Sequence, residues 1–121
     1  MNKPPPRLSA SQRPRIVSDE SVEKALDWMT RHATEIGEAK GEIIRLESRL
    51  KTVEAFESLR SDAKAQASRQ AVARTTQEYK DVCEALAQAV AHYETLRNLK
   101  EAAIYKTEVW RSENAMRRNM M

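Results

Sequence analysis

Apolar residues recur at steps of seven along two stretches of this chain. In the first, Val22, Met29, Ile36, Ile43 and Leu50 form one series, and Leu26, Ala33, Ala39, Leu46 and Val53 fill alternate three- and four-residue steps. In the second, Tyr79, Leu86 and Tyr93 run beside Val82, Ala89, Leu96, Ala103 and Trp110. Positions three, four and seven apart share one face of an α-helix, so each stretch predicts a long helix with a narrow apolar seam. No glycine or proline occurs from Glu42 to Met121. Those residues are the strongest local breakers of regular structure, and the Ala, Glu, Lys, Arg, Leu and Gln that fill the region lose least on entering a helix.

Between the seams, Ala63 to Ala73 is alanine-rich, and Thr75 with Glu78 has capping-box spacing. The reversal is therefore expected at about 72–76, with Ser58 to Asp62 as the second choice. The expected organisation is a tail over 1–17 and a helical hairpin over 18–118. Its helix 1 covers about 18–72 and its helix 2 about 76–118. Ser18 or Asp19 can cap helix 1, and Ile16 or Val17 can staple back onto Val22. A reversal near Arg74 sets Trp110 opposite Ala39, between Gly37 and Gly41. The fold class is all-α: two long antiparallel helices, coiled-coil-like. A lone helix pair leaves one side of each seam in water, so the bundle is expected to be completed by oligomerisation, most simply as a homodimer.

Composition narrows the function classes. With 121 residues, 32% of them charged and 5% aromatic, the chain has too few large apolar side chains for a layered sheet-and-helix core. Cys83 is the single cysteine, so it has no disulfide framework. No uncharged run approaches a membrane span, and prolines occupy the place of a signal-peptide core. The expected location is the cytoplasm. His32 and His92 are the two histidines, and nothing has metal-ligand spacing. No carboxylate pair stands out for acid–base chemistry, and Cys83 has no histidine placed to activate it. The expectation is a non-enzyme with no cofactor and no metal.

Net charge is +3, unevenly placed. Lys3, Arg7, Arg13 and Arg15 give the tail a basic character with no acid. Arg60, Lys64, Arg69 and Arg74 gather near the expected tip, and Arg111, Arg117 and Arg118 near the end. These are candidate phosphate contacts for a nucleic-acid partner, though no aromatic residues interleave with them. The interface candidates are Trp28, Trp110, Asn114 and the Gly37-x-x-x-Gly41 pair, whose spacing permits a close helix crossing or a notch for Trp110. An unidentified protein is the other partner class. The Pro4-Pro5-Pro6-Arg7 run also has the form of a docking peptide.

The segment Tyr93-Glu94-x-Leu96-Arg97-x-Leu99-Lys100-Glu101-Ala102-Ala103, followed by Glu108-Val109-Trp110-Arg111-Ser112-x-Asn114-Ala115-x-Arg117-Arg118, resembles the end of a group of small, almost wholly helical phage and prophage proteins. The resemblance covers roughly the second half of the chain. It implies a viral accessory protein in the host-cell cytoplasm, of a kind that occurs near recombination or replication genes. It also implies roles beyond packing for Trp110, Arg111, Asn114, Arg117 and Arg118. Three functions follow as expectations: a scaffold for other proteins, a nucleic-acid binder, or a virion or assembly component.

Overall fold

The computed structural model describes residues 2–7 and 14–120. Among them the chain is all-helical, with no strand: α1 spans Asp19–Arg60, α2 Gln66–Ala73 and α3 Gln77–Met120. No helix there is long and apolar enough to cross a membrane. Residues 2–7 are exposed and carry no regular structure.

Side-chain caps set the helix starts. Ser18 Oγ accepts the Ser21 N–H at 3.1 Å, and Asp19 and Glu20 sit in the first turn of α1, where the helix dipole favours negative charge. At α3 the cap is Thr76 rather than Thr75: Thr76 Oγ accepts the Tyr79 N–H at 3.3 Å.

Both candidate reversals in the sequence are breaks. α1 ends at Arg60 and does not run on to 72, because serines can end a helix without glycine or proline. The Ser61 N–H bonds Ser58 O at 3.3 Å, a tightened last turn, and Ser61 Oγ then accepts the Ala63 N–H at 3.2 Å. The break at 74–76 separates α2 from α3 instead. There the Thr75 and Thr76 hydroxyls each donate at 2.7 Å, to Val72 O and Ala73 O, which also accept the Thr75 and Thr76 backbone N–H groups at 3.0 and 3.2 Å. No described residue has positive φ, so neither break needed a glycine.

The chain forms two compact units. The first comprises Met1–His32 with Asn98–Met121, the second Ala33–Arg97. In the first, α1 and α3 run antiparallel: Arg15 meets Asn114, Val17 meets Glu113 and Asp19 meets Trp110. Val17, Val22, Ala25 and Ala103 are its buried apolar residues. In the second, α1 and α3 are again antiparallel, with His92 3.6 Å from Glu35 and Lys40 over the Tyr93 ring. Ala39, Ile43, Val53, Ala73, Val82 and Leu96 are buried there.

The seams therefore follow the heptad spacing at these positions, and Met29, Ile36, Leu50, Leu86, Tyr93 and Trp110 are half-buried beside them. Leu26 and Ala33, expected in the first seam, are exposed on the other side of α1. The register differs. Trp110 bonds Asp19, not a notch at Ala39, because the chain leaves α1 at Arg60 and the facing positions shift accordingly.

Candidate interaction surfaces

The residues expected to end a free tail are fastened. The Ile16 and Val17 N–H groups donate to Oε2 and Oε1 of Glu113, each at 3.0 Å, so one carboxylate receives two consecutive backbone amides. Arg15 donates to Asn114 Oδ1 at 2.7 Å and to Asp19 Oδ1 at 3.0 Å, and Trp110 Nε1–H donates to the same Asp19 oxygen at 2.7 Å. Ionised carboxylate is the better acceptor. The Ile16 amide first, and the Val17 amide next, accordingly hold the Glu113 carboxyl below its ordinary value of 4.5, with Arg117 and Arg15 adding to the effect against partial burial.

Trp110, Asn114 and Arg15 are thus spent on the first unit's own closure. Sequence reading passed over Glu113. Its only signal was an acid among arginines at the helix end, which does not announce a backbone partner far away in sequence.

Trp28 is half-buried and stacks on His32 of the same helix, with ring centroids 4.4 Å apart and planes 18° from parallel. His32 Nδ1 lies 2.8 Å from Trp28 O. The stacked ring forms one wall of a groove of ≈ 270 Å³ in the first unit. Leu99 lines the groove with Trp28, Ala25 and Ala103 form its small-residue floor, and Lys24 and Lys106 stand at it. Leu99 is 48% exposed. The floor is low because alanine stops at Cβ, and a Trp and a Leu on either side make an apolar trough with cationic edges.

Gly37 and Gly41 form neither a notch nor a crossing within the chain. Both are exposed, and a Cβ built at either would meet nothing within 4 Å. Each costs the helix about 0.8–1.0 kcal/mol relative to alanine, and nothing inside the chain requires that cost.

The basic candidates are dispersed. Lys3 and Arg7 are exposed in 2–7, and Arg13 lies outside the described residues. Arg74 pairs with Glu54 at 3.1 Å, and Arg60 with Glu57 at 3.5 Å while also lying over Phe56. Arg69 reaches Lys64 O at 3.4 Å, so Arg60, Lys64, Arg69 and Arg74 do share one unit, but in company with two acids. A second groove, of ≈ 500 Å³, separates the end of α1 from α2. It is lined by Lys51, Glu54, Arg69, Leu59 and Ser58, whose buried Oγ has no hydrogen-bond partner. Arg111 and Arg118 are exposed, and Arg117 is half-buried.

Cys83 is a half-buried free thiol, and burial, with Cys83 beside it, pushes the Tyr79 hydroxyl above its ordinary value of 10.0. Among the described residues no three His, Cys, Asp or Glu side chains gather as a metal-ligand group. No protein-family model matches the chain, and no curated protein or solved structure matches it at a significant level.

Proposed function

We propose that this chain is a non-enzymatic helical scaffold for protein–protein interaction, one that self-associates and presents helix faces to a second protein. On the resemblance of its second half, it is an accessory protein of a phage or prophage acting in the host cytoplasm, in DNA recombination or replication. The observation that carries the scaffold reading is the trough between Trp28 and Leu99. It is apolar along its walls, floored by Ala25 and Ala103, and edged by Lys24 and Lys106. An amphipathic helix with an apolar stripe and acidic flanks is the partner such a surface suits. The thin core agrees: among the described residues the one side chain with no exposure is that of a small residue, Ala73, while Ile44, Phe56, Leu59 and Tyr105 stay more than half exposed.

Nucleic-acid binding is the rival, and one titration separates the two. Fluorescence anisotropy of short single- and double-stranded DNA, measured through a salt series, should show no salt-dependent affinity for a scaffold. Binding that falls steeply with salt, and drops in a chain starting at Pro14, would replace the scaffold with a nucleic-acid binder using Lys3, Arg7 and Arg13. Recovery of the protein in purified virions would instead make it a particle component.

A further inference from the structure

One face of α1 carries no charge although charged residues crowd both its flanks. Ala33, Gly37, Gly41, Ile44, Ser48 and Thr52 follow one another at steps of three and four, and all are exposed. The same spacing continues to Ala55 and Leu59. The steps average close to a helical turn, so these positions form a nearly straight stripe along α1. Ile44 is 58% exposed and Leu59 85%.

Within the stripe, the Thr52 hydroxyl is bonded back to its own helix: Thr52 Oγ donates to Ser48 O at 3.1 Å. Gly37 and Gly41 sit in open space, where the absence of a Cβ lets another helix backbone come close.

We infer that this face is where two copies of the chain join, with their α1 helices antiparallel. The inference rests on the proposal that the chain self-associates, and it adds the face, the direction and the register. The spacing of the stripe reads the same from either end, as a two-fold interface requires, since the same patch must meet itself. Centred between Glu42 and Ile43, the pairing sets Gly41 against Ile44 of the second copy, Gly37 against Ser48, and Ala33 against Thr52. The one bulky central side chain thus falls on a glycine.

Charge decides direction. In antiparallel helices like flanks meet. Glu38 then lies beside Arg45 of the second copy on one flank, and Lys40 beside Glu47 on the other. In a parallel, in-register pair, unlike flanks meet, and Lys40 would face Arg45. Flanking charges of this kind set orientation in paired helices.

The test uses the full chain. Sedimentation over a concentration series should show a dimer, and Ile44→Glu should weaken it by more than about 100-fold, because a charge would be buried without a partner. Ile44 is exposed in the monomer, so helicity measured by circular dichroism should be unchanged in that variant. Trp28→Ala, at the separate trough, should leave the dimer intact.

A spin label at Phe56→Cys, in a Cys83→Ser background, reads direction. Labels should sit about 40 Å apart in the antiparallel dimer, and about 20 Å or less in a parallel one. A monomer at every concentration would overturn self-association itself. A dimer that survives Ile44→Glu, or that shows only the short distance, would leave self-association standing and overturn this face and direction.

Discussion

The two units reach antiparallel packing by different means. In the first, the buried apolar residues are small: two valines and two alanines. Closure there depends on side chains that reach across. Glu113 takes the Ile16 and Val17 amides, and Asp19 takes both Trp110 and Arg15. In the second unit the buried set includes Ile43, Val53, Val82 and Leu96. Its breaks are closed locally, by Ser61, Thr75 and Thr76 on neighbouring backbone. A unit held by apolar area is indifferent to pH and sensitive to lost volume. A unit held by a carboxylate is the reverse.

The largest expected effect is therefore in the second unit. Leu96→Ala should cost about 2–5 kcal/mol of unfolding free energy, since it removes a buried branched side chain and leaves a cavity. Denaturant titration checks this, and a loss under about 1 kcal/mol would show that the seam is not the core.

Next comes Trp110→Phe in the first unit. It keeps an aromatic ring, though a smaller one, and deletes the hydrogen bond to Asp19, for at least about 1 kcal/mol. Amide exchange near Asp19 should quicken while exchange near Leu96 stays as it was. An equal response in both would erase the contrast between the units.

Acid should act on the first unit alone through Glu113. Its carboxyl is lowered in the folded chain, so its contribution is full above the ordinary value of 4.5. It is lost as pH falls below that value through the lowered folded one. Near-neutral pH should change nothing at this group.

The smallest expected effect is Gly37→Ala, which should raise stability by about 0.4–1 kcal/mol in dilute protein, where only the monomer's helix counts. At concentrations that favour self-association the same variant should lose the gain. A stabilisation that persists undiminished would mean that nothing approaches this face.

Much of the fold is legible in the sequence, and the reasons are physical. Heptad spacing depends on helix geometry alone, so Val22, Ile43, Leu96 and their neighbours on the seam could be read directly. Ser18 as a cap follows from the chemistry of a hydroxyl before a helical run. The register was only partly legible: Ser58 to Asp62 stood as the second choice for the reversal, and the end of α1 there rests on Ser61 bonding backbone two residues away. A serine in an alanine-rich, glycine-free stretch gives a weaker sign than the capping-box spacing at Thr75 and Glu78.

The same limit hid the site. Trp28 was visible as a flank aromatic, but the trough needs Leu99 and Ala103, which only the register brings beside it. Gly37 and Gly41 suggested a close approach, and the chain itself supplies none. The clamp at Ile16 and Val17 was illegible because its acceptor is paired with backbone, which carries no residue identity.

Amide exchange at Ile16 and Val17, followed by NMR through the acid range, bears most directly on the claim that polar side chains hold the first unit's two helices in register. Both amides should be protected at neutral pH. The protection should fall away as Glu113 protonates below its ordinary value and be lost at every pH in Glu113→Ala, which has no acceptor. Protection that ignores both acid and the substitution would contradict the clamp, and with it the register that sets Trp110 beside Asp19.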